Sequence, residues 1–142
     1  DIPKFFTEIA ELLEQYFSEV EIWAEPGRFI CGEAGTVIAS VIGVSERRNK
    51  PFYTLDEGVY GVFTAKFFDH WNFSPRVESH KPKAPSCLAG PTCDSIDILV
   101  GDHLLPPLEL GDLLLFDDAG AYTYASATNF NGFEVLSIVE IE

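Results

Sequence analysis

The chain has 142 residues, of which 46% are hydrophobic and 13% aromatic, enough to form the core of one domain and to exclude a disordered chain. Nine basic against 23 acidic residues give a net charge of −14, which argues against nucleic-acid binding and favours cationic small molecules. No apolar run approaches the roughly 18 residues of a membrane span, and the start lacks signal-peptide features. Three cysteines are too few for a disulfide framework, so we expect free thiols and a cytoplasmic protein.

The first twenty residues predict an amphipathic helix. Asp1 can cap it, Pro3 suits its first turn, and acidic residues lie opposite the apolar ones. The apolar residues recur at helical spacing: Phe5, Phe6, Ile9, Leu12, Leu13, Tyr16, Phe17 and Val20. We expect a short strand over residues 21–24 directly after this helix.

From Gly32 onward the pattern predicts strands. Residues 36–44 are β-branched and nearly all apolar, which is typical of a strand covered on both faces. Four prolines predict irregular chain over residues 72–91. Further strands are expected at residues 52–55, 59–68, 113–116, 122–127 and 133–141. The sequence therefore predicts a mainly β protein, a sandwich or barrel of about 110 residues.

The opening helix and strand resemble the last part of a β/α layer whose earlier elements are absent. We therefore divide the chain into residues 1–31, the end of a β/α barrel, and residues 32–142, a C-terminal β domain.

Glu25, Gly27 and Arg28 would lie at the carboxyl end of the predicted strand, where α/β barrels place their sites. Gly27 lets the backbone approach a ligand closely, and Arg28 has a planar fork suited to phosphate. With an acid at one end and a cation at the other, these residues could bracket a small phosphorylated cofactor. A turn with a surface ion pair explains the same residues.

Residues 90–97 place a thiol beside a carboxylate after a Gly-Pro bend. Cys93 can donate a proton to a carbanion, and Asp94 can hold a cationic group of a substrate. An inert cysteine in a turn is the alternative. Tyr122 either donates a hydrogen bond to phosphate or packs at the start of a strand. No set of His, Cys and Asp has zinc spacing, so no metal site is expected.

Six ordered motifs together resemble the C-terminal part of the ornithine decarboxylase family. They are residues 25–28 (EPGR), 58–61 (GVYG), 69–70 (DH), 90–97 (GPTCDSID), 120–123 (GAYT) and 130–133 (FNGF). Members of this family are pyridoxal-phosphate enzymes with an alanine-racemase-like β/α barrel (fold type III) followed by a β domain. The resemblance spans residues 21–133.

The resemblance implies a cofactor, pyridoxal 5′-phosphate, and the residues that bind it. Glu25 would pair with the protonated pyridine nitrogen and keep the ring an electron sink. Gly27 and Arg28 would hold the phosphate, with Tyr122 as a further donor.

The resemblance also implies how substrate is bound and protonated. Cys93 would protonate the α-carbon after carbon dioxide leaves. Asp69 and Asp94 would bind the distal ammonium of the substrate, and Phe130 would line the pocket. In this family Cys93, Asp94 and Phe130 reach into the site of the partner subunit, which implies a head-to-tail homodimer with shared sites.

The chain departs from the family in two respects. Phe68 stands where the ornithine enzymes commonly carry a tyrosine, so the pocket lacks one hydroxyl. No lysine has the context of the Schiff-base lysine, which the family carries on an early barrel strand. We therefore expect a C-terminal portion of a longer enzyme that is not catalytic alone.

The sequence is interpreted as part of a basic-amino-acid decarboxylase of polyamine biosynthesis, converting L-ornithine to putrescine or L-lysine to cadaverine. Diaminopimelate and arginine decarboxylases of the same fold are alternatives, although two acids point to a purely cationic substrate tail. A non-catalytic regulatory homologue like antizyme inhibitor and a free-standing β-sheet binding module also stay open. No nucleic acid or membrane partner is expected.

Overall fold

A computed structural model of the protein describes residues 1–141; the last residue of the predicted 32–142 domain therefore lies outside the described residues. Its α-helices are α1 (Ile2–Phe17), α2 (Arg28–Cys31) and α3 (Ala65–Phe68). Its strands are β1 (Val37–Arg47), β2 (Lys50–Leu55), β3 (Ala84–Ala89), β4 (Ile98–Leu105) and β5 (Leu113–Phe116). Short 3-10 turns occur at Gly32–Ala34, Tyr124–Ser126 and Phe130–Gly132. The prediction of a mainly β protein is confirmed.

Helix α1 forms as its apolar spacing predicts. The Asp1 side chain accepts a hydrogen bond from the Lys4 backbone N–H at 3.3 Å, and a proline occupies the first turn. No residue of α1 is buried. The Phe6 ring packs edge-on against the Phe29 ring of α2, with ring centres 5.4 Å apart. No helix among residues 1–141 is long and apolar enough to cross a membrane.

The five strands form one sheet in the order β4-β3-β2-β1-β5. Strand β1 pairs with β5 through Val37–Ser40 and with β2 from Val41 onward, and the β1–β2 register shifts between Val41 and Gly43. Such an irregularity bends a strand and increases its twist, which curls the sheet. Strands β2 and β3 are parallel, and the long connection between them contains α3.

The core lies on one face of this sheet. The Phe63 ring is fully buried and packs edge-on against Phe73 and Phe116, with ring centres 4.7 Å away in both cases. Along β1, Val37, Ala39 and Val41 are buried, whereas the alternate residues Ile38, Ile42 and Val44 are exposed. The prediction that β1 is covered on both faces is therefore wrong for the described residues, because nothing described packs on its second face.

Several other local predictions are wrong for physical reasons. Residues 21–24 form no strand, because no described neighbour offers them a hydrogen-bonding ladder. Residues 59–68 form a turn and α3 instead of a strand, since the Gly58–Gly61 turn redirects the chain. Residues 122–127 form no strand and contain the 3-10 turn Tyr124–Ser126, and residues 133–141 form no strand despite their alternation. Conversely, β3 lies inside the segment expected to be irregular, and the sequence pattern does not predict β4.

Candidate functional site

One candidate site centres on the guanidinium of Arg28, at the start of α2. Its Nη2 donates to the Asp69 carboxylate at 2.6 Å, and its Nη1 donates to the Ala121 carbonyl at 3.4 Å. The guanidinium carbon lies 4.2 Å from the Trp71 ring centre and 5.2 Å from that of Tyr122. We call Gly27, Arg28, Asp69, Trp71 and Tyr122 the Arg28 cluster.

Close backbone packing brings Tyr122 to this cluster. The N–H groups of Ala119 and Gly120 donate to the carbonyls of Gly35 and Gly32, both at 2.8 Å, and a side chain on Gly120 would overlap the Cys31 carbonyl. Tyr122 itself has a φ of 55°, a left-handed conformation that is rare for an aromatic residue. Such outliers often mark functional sites.

The Tyr122 hydroxyl is directed at Gly27. A Cβ on Gly27 would lie 2.7 Å from that hydroxyl oxygen, so only glycine leaves the phenol where it is. The structure therefore brings the predicted cofactor residues Gly27, Arg28 and Tyr122 together. Glu25, two residues before Gly27, is exposed and makes no hydrogen bond or ion pair among residues 1–141.

The second candidate site surrounds the exposed thiol of Cys93. The Asn131 side-chain Nδ2 donates to Cys93 Sγ at 3.3 Å, and the Tyr60 hydroxyl donates to the Asp94 carboxylate at 2.6 Å. The rings of Tyr60 and Phe130 stack with centres 4.1 Å apart. We call Tyr60, Cys93, Asp94, Phe130 and Asn131 the Cys93 cluster, which contains three of the predicted site residues.

Hydrogen bonding fixes the charge states of Tyr60 and Asp94. The hydrogen bond from Tyr60 lowers the pKa of the Asp94 carboxyl, and the Ile96 backbone N–H at 3.0 Å lowers it further. In return, the Asp94 carboxylate raises the pKa of Tyr60 to about 12. Near neutral pH the pair therefore consists of an anionic carboxylate and a protonated phenol.

Asp97 holds the loop that carries Cys93 and Asp94. Asp97 is 1% exposed. Its Oδ1 accepts from the Val59 N–H at 2.9 Å, and its Oδ2 accepts from the N–H and hydroxyl of Thr92 at 3.0 and 2.6 Å. A Cβ on Gly58 or on Gly90 would overlap this carboxylate. The two glycines therefore let one buried acid join the 58–61 turn to the 90–97 loop.

A second buried acid, Glu57, stabilises the turn that carries Tyr60. Its Oε2 accepts from the Val62 N–H at 3.1 Å and from the Gly58 N–H at 3.3 Å. Burial raises the pKa of the Glu57 carboxyl, and these hydrogen bonds only partly offset that effect. Two buried carboxylates, those of Glu57 and Asp97, thus stabilise the turn that carries Tyr60 by accepting hydrogen bonds from backbone N–H groups.

The two acids predicted to bind one ammonium lie in different clusters. Asp69 is paired with Arg28, and Asp94 is paired with Tyr60. The two acids therefore belong to two clusters that share no residue.

Sequence reasoning missed four residues that these sites use. The roles of Tyr60, Asp97 and Asn131 depend on contacts between segments more than thirty residues apart, although all three lie within the motifs that carry the resemblance. Trp71 follows the Asp-His pair directly, and an aromatic ring beside an arginine-binding acid is the signal that could have found it.

Metal binding has no structural support in the described part of the chain. No three His, Cys, Asp or Glu side chains come together there in an arrangement that could hold a metal ion.

Comparison with protein families shows that the chain carries the sheet domain of a decarboxylase family. Residues 28–120 match the family model of the pyridoxal-dependent decarboxylase C-terminal sheet domain, and the chain belongs to this family.

Individual decarboxylases are similar to the chain in sequence and in structure. The chain is similar to lysine/ornithine decarboxylase of Selenomonas ruminantium, with 39% identity over 142 residues covering 100% of this chain and 36% of that protein. It is also similar to the crystal structure of lysine/ornithine decarboxylase from Vibrio vulnificus complexed with cadaverine. That match has a TM-score of 0.85 and 43% identity, covering 93% of this chain and 36% of that one.

A third relative is antizyme inhibitor 2 of Xenopus laevis, 38% identical over 154 residues that cover 91% of this chain and 33% of that protein. The chain spans about a third of the length of the relatives it matches.

The Arg28 cluster fits the phosphate of pyridoxal phosphate. The Arg28 guanidinium carbon lies 5.2 Å from the Tyr122 ring centre, and a Cβ on Gly27 would lie 2.7 Å from the Tyr122 hydroxyl oxygen. A guanidinium fork and a hydroxyl are donors that phosphate oxygens accept well.

Proposed function

We propose that this chain is the C-terminal domain of a pyridoxal-phosphate-dependent decarboxylase that converts L-ornithine to putrescine and L-lysine to cadaverine, in polyamine biosynthesis. The observation that carries this proposal is the Cys93 cluster, in which an exposed thiol and an anionic carboxylate are neighbours. A proton donor and an anion side by side suit a substrate that carries a carbanion at one end and an ammonium at the other.

The Arg28 cluster would hold the cofactor. Arg28 and Tyr122 would donate to its phosphate, Gly27 would let the backbone approach, and Glu25 would pair with the pyridine nitrogen. When bound, pyridoxal phosphate accepts the electron pair left on the α-carbon as carbon dioxide departs. The Asp69 carboxylate holds the Arg28 guanidinium in place for this contact.

Cys93 would supply the proton that completes the reaction. The S–H bond breaks with its electron pair remaining on sulfur, and the proton forms a C–H bond with the electron pair at the α-carbon. The thiolate then recovers a proton from water. The position of the donor decides which carbon is protonated. The buried Asp97 helps to fix that position, because it accepts two hydrogen bonds from Thr92, the residue before Cys93.

Two acids and two rings would select the substrate. Asp94 and Asp69 would bind the distal ammonium, Asp69 through Oδ1 because its Oδ2 accepts from Arg28. The stacked rings of Phe130 and Tyr60 would form an apolar wall along the substrate methylenes. Asp94 is anionic near neutral pH, and the hydrogen bond from Tyr60, which lowers its pKa, orients the carboxylate for an ammonium.

A head-to-tail homodimer would bring an Arg28 cluster and a Cys93 cluster together. What supports this proposal is that Asp69 belongs to the first cluster and Asp94 to the second, although both would bind one ammonium. A two-fold dimer in which the Cys93 cluster of one subunit faces the Arg28 cluster of the other would form two complete sites.

The compartment we propose is the cytoplasm. Cys31, Cys87 and Cys93 are all free thiols, which suits a reducing environment.

A direct test uses the full-length protein with pyridoxal phosphate. We expect L-ornithine and L-lysine to release carbon dioxide and diamine, whereas L-norleucine, which lacks the distal ammonium of lysine, should react far more slowly. Equal turnover of lysine and norleucine would contradict the role of the two acids. Absence of diamine from both basic substrates would contradict the proposed activity.

The match to antizyme inhibitor 2 favours a second candidate, a non-catalytic regulatory homologue. The two candidates differ in cofactor binding. Retention of pyridoxal phosphate by the full-length protein after dialysis, followed by its absorbance, supports the enzyme. A protein that retains no cofactor supports the regulatory candidate.

A further inference from the structure

We propose that Asn131 is a positioning residue that orients the Cys93 sulfur for proton transfer and stabilises that sulfur after the proton has left. This inference rests on the proposed function, in which Cys93 protonates the α-carbon. It starts from one contact: the Asn131 side-chain Nδ2 donates to Cys93 Sγ at 3.3 Å, across 38 residues of chain.

The backbone at Asn131 restricts which residues can stand there. Asn131 has a φ of 56° and Gly132 a φ of 80°, two consecutive left-handed residues in the 3-10 turn Phe130–Gly132. Glycine adopts this conformation at the lowest cost, and asparagine and aspartate are the side chains that tolerate it best. Of these three, asparagine alone brings a hydrogen-bond donor to the sulfur.

The turn that carries Asn131 is anchored to the Cys93 cluster. The N–H and hydroxyl of Thr128 donate to the Tyr60 carbonyl at 2.9 and 2.8 Å, and the Phe130 N–H donates to the Thr128 hydroxyl at 3.3 Å. The Phe130 ring stacks on Tyr60. Because Asp97 fixes Thr92 on the other side, both ends of the contact between Asn131 and Cys93 are held.

A donor on the sulfur serves the transfer in two ways. The amide occupies a sulfur lone pair, so the S–H hydrogen is not used on Asn131 and stays available for the α-carbon. When the S–H bond breaks and its electron pair remains on sulfur, the amide faces an anion, and such charge-assisted hydrogen bonds are stronger than neutral ones. Both effects favour protonation of the α-carbon by Cys93 over protonation of the cofactor.

The first test measures where the proton goes in the full-length holoenzyme. Protonation at the cofactor instead of the α-carbon, followed by hydrolysis with one water, leaves pyridoxamine phosphate and an amino aldehyde in place of the diamine. Asn131→Asp keeps the side-chain shape but replaces the donor with an anionic acceptor. We expect it to raise the aldehyde-to-diamine ratio roughly three- to tenfold. The initial rate of carbon dioxide release should change less, and release should then slow as cofactor is lost as pyridoxamine phosphate. Asn131→Gly, which keeps the backbone conformation, should raise that ratio less.

The second test needs no cofactor and no turnover. In cofactor-free full-length protein, iodoacetamide alkylation of Cys93 is followed by peptide mass spectrometry, with the exposed Cys31 of the same molecule as internal reference. Asn131→Asp should slow alkylation of Cys93 relative to Cys31, because the anion replaces the donor that stabilises the thiolate. Asn129→Asp adds the same charge two residues away and should leave both readouts unchanged.

The two tests separate the proposals. An unchanged product ratio and an unchanged alkylation rate in Asn131→Asp would overturn the role of Asn131, as would equal effects of Asn129→Asp. If wild type makes no diamine, the proposed function fails, while slower alkylation in Asn131→Asp would still establish that Asn131 acts on the sulfur.

Discussion

The phenol of Tyr60 donates a 2.6 Å hydrogen bond to the carboxylate of Asp94, linking the 58–61 turn to the 90–97 loop. This bond lowers the pKa of Asp94 and raises the pKa of Tyr60 to about 12. The bond therefore orients the carboxylate in the proposed substrate pocket, and the pair remains an anionic carboxylate and a protonated phenol near neutral pH.

Tyr60→Phe should weaken binding of the diamino acid without abolishing turnover. Loss of the hydrogen bond frees the Asp94 side chain, and we expect KM for lysine to rise roughly three- to tenfold while kcat changes less. Tyr124→Phe removes an exposed hydroxyl elsewhere and serves as control.

The pKa values of this pair fix the pH dependence of that effect. Between pH 6 and 9 Asp94 stays ionised, because its pKa is lowered, and Tyr60 stays protonated, because its pKa is about 12. The ratio of KM between Tyr60→Phe and wild type should therefore be constant across this range in steady-state assays. A ratio that falls towards one at pH 9 would show that the bond is lost there.

Arg28→Ala in the full-length enzyme should weaken retention of pyridoxal phosphate. The substitution removes the guanidinium fork that would donate to the phosphate, and it leaves the Asp69 carboxylate without its arginine partner. Cofactor absorbance after dialysis measures the effect. Arg48→Ala, in the turn between β1 and β2, removes the same charge outside the Arg28 cluster and should retain cofactor like wild type. Equal occupancy in both variants would refute the assignment of Arg28.

Glu57→Gln should change how stability depends on pH. Burial raises the pKa of Glu57 in the folded state, so the folded protein binds the proton more tightly than the unfolded chain does. This contribution to stability is complete below the unfolded pKa and is lost as pH rises through the folded pKa. Gln has no such loss, and its single carbonyl oxygen can replace Oε2, which accepts both hydrogen bonds.

We therefore expect the unfolding free energy of Glu57→Gln, relative to wild type, to be higher at pH 7 than at pH 4. Denaturant unfolding of the full-length protein at both pH values measures this difference. A relative stability that is the same at both values, or lower at pH 7, would mean that Glu57 does not titrate as its burial implies.

Gly90→Ala should destabilise the protein because its Cβ would overlap the Asp97 carboxylate. Forcing a methyl group into this packed region should cost about 1–3 kcal/mol or more, and it should disturb the loop that carries Cys93. Gly101→Ala is the matched control, since nothing lies within 4 Å of a Cβ at that position in β4. Similar melting temperatures for both variants would show that the Asp97 region is not tightly packed.

Sequence patterns predicted the elements whose signal is local. The helical spacing and Asp1 cap identified α1, and the apolar runs identified β1, β2 and β5. They failed where a neighbouring segment decides the structure. Alternation over residues 133–141 resembles a strand, but no described segment offers those residues a ladder, whereas β3 forms among prolines because β2 and β4 both pair with it.

The site residues follow the same division. The sequence motifs identified Gly27, Arg28, Cys93 and Asp94 as candidate site residues because their chemistry is distinctive. The sequence alone does not reveal that Arg28 pairs with Asp69, because that contact joins segments 41 residues apart.

Subunit complementation tests most directly the claim that Cys93 serves the neighbouring site. Full-length Cys93→Ala subunits are mixed with subunits lacking the Schiff-base lysine of the barrel, each nearly inactive as a homodimer. Random exchange makes about half of the dimers mixed, and each mixed dimer has one intact site and one with both lesions. We predict that diamine formation returns to about a quarter of wild type. If labelled subunits are shown to exchange and no activity returns, Cys93 does not act across the dimer.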